Sequence, residues 1–309
     1  MSQVDGLVVI DKPAGCTSHD VVARCRRIFG QKKVGHAGTL DPDATGVLLV
    51  GLGRATRLLQ WLTGLPKRYT GEVVLGVATT TLDAGGQVTG TWDMSAVTLE
   101  EARSAAARLT GEITQVPPMV SALKVGGRRL HELAREGVEV ERAARPVTVR
   151  RFDLEWAEPA LAGPAGPDGA GPVLAIDVEC SSGTYVRTLA ADLGTLLGGG
   201  AHLRNLRRTE VGDFSVERAV TLEELEASPM GDAVLEPASA LPGMARAVVD
   251  QELAAAVRNG KVLPAEALHA ASGSGRGPGP WAVLSEDGQL LAVYQSYGAD
   301  LAKPAVVLA

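Results

Sequence analysis

The residues best placed to do chemistry lie between glycines, in the run Gly35-His36-Ala37-Gly38-Thr39-Leu40-Asp41-Pro42-Asp43-Ala44-Thr45-Gly46. Glycine at that density allows backbone angles closed to other residues, or the close approach of a ligand. A carboxylate held in such a loop, Asp41, suits a nucleophile or a base. The same Asp-Pro pair equally suits an ordinary Asx turn, and Pro42 biases Asp41 away from helical angles in both cases. His36 reads either as a hydrogen-bonded structural histidine or as a group beside a substrate. A second segment, Ser181-Ser182-Gly183-Thr184-Tyr185-Val186-Arg187, opens a helix whose apolar stripe is Val186, Leu189, Ala190 and Leu193. Arg187 falls off that stripe. It either stands in solvent or pairs with a carboxylate, lowering its pKa and keeping it ionised and nucleophilic at neutral pH. Tyr69 and Tyr185 are two of only four tyrosines, each beside basic or polar residues. They suit base stacking or an ordinary place at the core edge.

These groups must be held by the elements around them. The spacing predicts a strand at Leu7–Ile10 and a helix capped by Thr17 or Ser18. Val21, Val22, Cys25, Ile28 and Phe29 lie on one face of that helix, and Gly30 follows as its stop. Residues 35–46 read as loop, Arg57–Leu62 as a short helix and Thr70–Val77 as a strand. Thr98 and Glu101 form a capping box. Val120–Val125 reads as a strand turned by Gly126-Gly127 into a basic helix, Arg128–Glu136. Further strands fall at Val147–Trp156 and Val173–Cys180, separated by an Ala/Gly/Pro-rich loop. Helices and strands alternate irregularly, so the fold class is α+β rather than a regular βαβ array. Proline and glycine at 237, 242 and 243 mark a boundary between a main domain, 1–243, and a small β-rich module, 244–309.

Composition narrows the function. The chain has 309 residues, enough for a buried core in two domains without disulfides. Cys16, Cys25 and Cys180 are scattered, which points to a reducing compartment and away from a zinc ribbon. Five dispersed histidines give no metal-ligand spacing. No apolar run reaches the roughly 20 residues of a membrane helix, and residues 1–13 lack the pattern of a secretory signal. A cytoplasmic location is expected. There is no Gly-x-Ser-x-Gly, Walker A or Rossmann fingerprint, so nucleotide-cofactor chemistry has no support. A net charge of −6 argues by itself against a polyanion partner, yet residues 1–70 hold ten Lys/Arg against five Asp/Glu. Residues 216–309 hold six against twelve, so an acidic total conceals a basic end.

The run from Gly35 through Leu48 closely resembles the catalytic-loop motif of the TruB family, the bacterial tRNA pseudouridine-55 synthases. Five further stretches agree in order and spacing. They are Asp11-Lys12-Pro13-Ala14-Gly15 with Thr17-Ser18, Lys67-Arg68-Tyr69, Val116-Pro117-Pro118 through Lys124, Gly183 through Leu189, and Ala201-His202-Leu203 with Leu206-Arg207-Arg208. The resemblance covers residues 5–215, and more faintly the tail around Asn259-Gly260, which looks like a PUA-type RNA-binding module. It implies a pseudouridine-synthase catalytic domain with a mixed, largely antiparallel sheet. It also implies an activity: isomerisation of a uridine in the tRNA T-loop, flipped out of its stack, with no cofactor and no metal. Asp41 matches the attacking aspartate, Arg187 the arginine paired with it, and Tyr69 the tyrosine that stacks on the base. Tyr185 and Leu206 match residues around the flipped base, and His36 a histidine that helps displace the nucleotide. Lys12 and Lys67, in matching stretches, are assigned to substrate binding. A monomer bound to the tRNA T-stem-loop, with no membrane partner, is expected. The sequence departs from the family pattern at Thr80, where aspartate is usual although Asp83 is kept, and at His131, where tyrosine is usual. The loops at 158–172 and 272–280 look like insertions.

Overall fold

The computed structural model describes residues 3–121, 123–130, 133, 136–138, 140–157, 171–228, 233–272 and 279–308. The chain begins with β1 (Gly6–Lys12), α1 (Ser18–Ile28), β2 (Val34–Ala37) and β3 (Thr45–Leu52). A 3₁₀ turn then leads to α2 (Leu59–Thr63). Next come β4 (Lys67–Leu75), β5 (Val77–Thr79), β6 (Val88–Thr91), α3 (Leu99–Arg108) and β7 (Gly111–Gln115). A small hairpin, β8 (Lys124–Val125) and β9 (Arg128–Arg129), precedes β10 (Arg145–Trp156), β11 (Val173–Cys180) and α4 (Val186–Leu196). Then follow β12 (Ala201–Val211), β13 (Phe214–Ser215), α5 (Leu222–Ala227) and β14 (Val234–Leu235).

Ten of these strands build one sheet in the order β14-β1-β3-β12-β4-β11-β10-β7, with β2 paired to β3 and β13 to β12, while β5-β6 and β8-β9 form two separate hairpins. Only β3 and β12 run parallel; the other pairings are antiparallel. Continuous apolar runs in β1 and β3 mark strands covered on both faces. Val8, Ile10, Leu48 and Val50 face α1 in one core cluster, while Leu7, Val9, Val47 and Leu49 enter another. Helix α1 starts where expected. The Thr17 side chain accepts from the Asp20 backbone N–H, and the Asp20 carboxylate accepts from that of Thr17. The Thr98–Glu101 capping box is present in the same form.

The remainder of the chain forms β15 (Ala245–Val249), α6 (Gln251–Arg258), β16 (Leu263–Pro264), α7 (Ala265–Ser272), β17 (Trp281–Ser285), β18 (Leu290–Tyr297) and β19 (Leu301–Val307). Its five strands make a separate sheet, β15-β17-β18-β19-β16. Leu284, Leu290, Val293 and Leu308 share a core cluster with Leu7 of β1, Leu58 of the 3₁₀ turn and Leu62 of α2. The Arg57 guanidinium donates to the Val307 carbonyl at 2.7 Å.

Three expectations change. Residues 34–37 are a strand rather than loop, because Gly35 and Gly51 face each other across a close β2–β3 pairing. The fourth strand begins at Lys67 rather than Thr70, which puts Tyr69 inside the sheet. Of the segment 120–125 only Lys124 and Val125 are strand, and Arg128–Arg129 pair back onto them. Most of the expected helix beyond, with His131, lies outside the described residues, as do residues 158–170 and 273–278 of the two insertions.

Candidate active site

Asp41 sits in the bend between β2 and β3, and two buried cations, Lys12 and Arg208, shape that bend, while a third, Lys67, stands beside it. Lys12, at the end of β1, donates to the carbonyls of Pro13, Cys16 and Pro42 at 2.7–2.9 Å. Arg208, on β12 and 1% exposed, donates to Gly38 at 3.0 Å, to Thr39 at 3.4 Å and to Val47 at 2.7 Å. One guanidinium thus holds the Asp41 loop at its entry and its exit. Lys67 donates to Thr63 and Leu65. Charge-assisted bonds of this kind are stronger than neutral ones and suit fixing irregular backbone.

Arg187 is 5% exposed, so the solvent alternative for this residue falls away. Being off the helix's apolar stripe turned it toward a polar interior. Its Nε lies 2.9 Å from Asp41 Oδ2, and its Nη2 donates to Asp41 Oδ1 at 3.1 Å. The remaining donors meet Asp83 at 3.2 Å, the Thr81 carbonyl at 3.0 Å and the Val120 carbonyl at 2.8 Å. The ion pair is two-pronged, which fixes the carboxylate's orientation as well as its charge. Burial pushes the Asp41 carboxyl above its ordinary range; Arg187 opposes that shift and Asp83 adds to it.

Tyr69, on the core face of β4, is 8% exposed. Burial raises its hydroxyl pKa, and Arg208 pulls the other way. Tyr185 is held at the start of α4 by Gln115, whose side chain accepts from the Tyr185 N–H at 3.0 Å and donates to its carbonyl at 3.3 Å. A cavity of about 260 Å³ opens over these groups, lined by Asp41, Lys67, Tyr69, Tyr185, Arg187 and Leu206 among others. A second, of about 450 Å³, lies on the far side of Asp41, Arg187 and Leu206 and extends to Asp43 and Asp83.

Six of the eight expected residues therefore line one pocket. His36 does not line it. From β2 its ring meets His19 edge-on at 5.7 Å, and its Nδ1 is buried with no hydrogen-bond partner. Burial, then His19 and Arg208, push its pKa down to about 4, so it is neutral at physiological pH. Lys12 does not line it either: it is fully buried, and its ammonium is spent on three carbonyls, so the expected substrate contact gives way to support of the loop. Lys67 reaches the cavity, with burial lowering its pKa to about 8. The support given by Arg208 and Gln115 escaped the sequence reading. Leu206-Arg207-Arg208 was in view, but strand alternation does not say which arginine turns inward. No group of three or more His, Cys, Asp or Glu among the described residues could hold a metal.

An oriented, half-exposed carboxylate beside an aromatic floor can attack a nucleoside, and a cavity of about 260 Å³ can hold the detached ring for rebonding. Fold and geometry together define the class as pseudouridine synthases, isomerases that exchange a C–N glycosidic bond for a C–C bond. Residues 26–186 match the N-terminal domain of the TruB family pseudouridylate synthases, and residues 187–239 match the tRNA pseudouridylate synthase B C-terminal domain. A tRNA pseudouridine synthase B of Arthrobacter sp. (strain FB24) is 45% identical over 308 residues, 99% of this chain and 97% of that one. Its counterpart in Rhodococcus jostii (strain RHA1) is 46% identical over 294 residues, covering 95% and 90%. Among solved structures, a chain of a Cbf5-Nop10-Gar1 complex superposes with a TM-score of 0.72 at 25% identity, over 98% of this chain and 85% of that one. A chain of an H/ACA RNP bound to a substrate RNA gives 0.69 at 23%, a likeness of fold. The chain belongs to the TruB family of pseudouridylate synthases, and its small C-terminal sheet is PUA-like.

Proposed function

We propose that this chain converts the T-loop uridine at position 55 of tRNA to pseudouridine, with Asp41 as nucleophile. The two-pronged Asp41–Arg187 pair above Tyr69 is the observation that carries this reading. Arg187 keeps Asp41 ionised in a buried pocket, and ionised it can attack. The C1′–N1 bond breaks and the base turns within the cavity. A C1′–C5 bond then forms, the bond made by Asp41 breaks to return it as a free carboxylate, the C5 hydrogen leaves as a proton, and N1 takes one up. Atoms and charge balance without an oxidant. Tyr69, Tyr185 and Leu206 enclose the ring while it is detached, and Lys67 adds positive charge at the pocket wall. Tyr69 assists removal of the C5 proton. His36, neutral and beside the loop, helps to displace the nucleotide from its stack.

The partner is the tRNA T-stem-loop and the enzyme acts as a monomer in the cytoplasm. The catalytic domain spans 1–243, and residues 244–309 form an RNA-binding module. That module holds five Lys/Arg against six Asp/Glu, a nearly neutral balance that makes it a weaker RNA contact than the basic first seventy residues. The test is Asp41→Asn, incubated with unmodified tRNA transcript and mapped for pseudouridine. The expected result is no product at position 55, with tRNA binding and the unfolding midpoint retained. Product at the wild-type rate would refute the nucleophile. Wild-type protein that binds the transcript and modifies nothing would make the chain a non-catalytic RNA-binding module.

A further inference from the structure

We infer that Asn205 is a positioning residue for this reaction: its left-handed backbone makes the β-bulge that turns Leu206 and Arg208 into the pocket. The inference rests on the reading of that pocket as the active site. Along β12, Leu203 faces the core opposite Val73, and Arg204 faces the other side, opposite Glu72 and ion-paired with it. Strict alternation from there would send Leu206 and Arg208 to the Glu72 side too. They go the other way. Arg204 is opposite Glu72 and Arg207 opposite Thr70, so β12 takes three steps where β4 takes two. Arg208 then comes opposite Tyr69, on the pocket face. A second shift between Arg208 and Glu210 restores the original phase, and Glu210 pairs with Arg68 on the outer side. Only the segment 206–208 is inverted, and it supplies the pocket's apolar wall and the clamp of the Asp41 loop.

The extra residue in the first bulge is Asn205, with φ +53°. Leu82 is the only other non-glycine with positive φ among the described residues. Asparagine tolerates this region better than any other side chain but glycine, because it can bond locally. On β4, Gly71 faces the bulge, where a Cβ would make only ordinary contact, 3.4 Å from the Arg204 carbonyl and 3.5 Å from Leu206 Cα. The close fit is on the other neighbour. On β3, a Cβ at Gly46 would come within 2.1 Å of the Arg208 carbonyl oxygen. Bulges of this sort re-aim side chains beside active sites. The Asn205 side chain is exposed; the residue lines the larger cavity beside Leu206 but not the smaller one over Tyr69, and its backbone does the positioning.

Asn205→Gly, Asn205→Ala and Asn205→Val separate backbone from side chain. The measurements are kcat for pseudouridine formation, the tRNA dissociation constant and the thermal midpoint. Asn205→Gly keeps the bulge and retains kcat within about twofold; Asn205→Ala is intermediate; Asn205→Val loses about tenfold, in line with the strain of a left-handed β-branched residue. The dissociation constant stays unchanged throughout. Equal impairment of the glycine and valine variants, wild-type kcat in all three, or a loss confined to binding would overturn the inference. Should Asn205→Val not fold, the alanine–glycine difference decides in the same way. Asp41→Asn in the same assay distinguishes the two failures. If it is inactive while the Asn205 series is flat, only the positioning role falls; if it is active, the reading of the pocket falls with it.

Discussion

Replacing Arg187 by methionine removes the cation and keeps much of the volume, so its effect isolates the charge. Two hydrogen bonds to the Asp41 carboxylate disappear, and Asp83 is left facing Asp41 with no cation between them. A hydrogen bond between charged groups contributes roughly 1.5–3 kcal/mol, a factor of about ten to a hundred in rate where it acts on the reacting group. The loss also moves the Asp41 pKa upward. Burial has already raised it, and the added repulsion from Asp83 acts in the same direction. The Asp41 side chain is 41% exposed toward the open pocket, so water screens the free enzyme and the shift there is the smaller. Once RNA fills the pocket the screening is lost, and the shift is larger. Tritium release from RNA carrying 5-tritiated uridine, followed across pH 4 to 9, reads both. The acid limb of kcat/KM, which reports the free enzyme, moves up, that of kcat, which reports the complex, moves up further, and kcat/KM at pH 6 falls by about ten- to a hundredfold. Arg187→Lys keeps the charge without the fork and falls between. Acid limbs unmoved in Arg187→Met would refute the claim that the pair keeps Asp41 ionised.

Other perturbations test the supports of the site. Lys12→Met leaves the carbonyls of Pro13, Cys16 and Pro42 without their donor; the penalty, offset partly because no ammonium is buried, is about 2 kcal/mol. Urea unfolding reads the loss directly, and an unchanged midpoint would show that the clamp carries no stability. His36, at about 4 in the folded chain against 6.5 when unfolded, binds its proton more readily in the unfolded state. Its contribution to stability is complete above pH 6.5 and lost as pH falls toward 4. The urea midpoint therefore drops between pH 7.5 and pH 5 more steeply in the wild type than in His36→Gln, and identical drops would contradict the assignment.

Much of the fold was legible because local rules and tertiary demands agree. The helix cap at Thr17 or Ser18, the capping box at Thr98, the alternation of Leu174, Ile176, Val178 and Cys180, and the stripe of α4 each declared an element, and each is present. Strand β2 was hidden because a glycine-rich strand carries no apolar alternation; its pairing partner, Gly51, makes it a strand. Asp41 and Arg187 could be singled out as polar groups that folding did not require. Their separation of 146 positions left open whether they meet.

What the sequence determined by itself was the chemical vocabulary: an aspartate in a glycine-rich loop, an arginine off its helix's apolar face, a tyrosine beside basic residues, and a family resemblance spanning them. Tertiary structure decided which cations face substrate and which are consumed by the scaffold. Lys12 and Lys67 look alike in sequence, yet one is saturated by carbonyls away from the pocket and the other lines it. Arg207 and Arg208 are adjacent, yet a one-residue bulge sends the first to Asp11 and the second beneath Tyr69. The physical reason is that a strand's facing is set by its register with its neighbours, and one extra residue inverts it. No property of the arginines themselves records that phase.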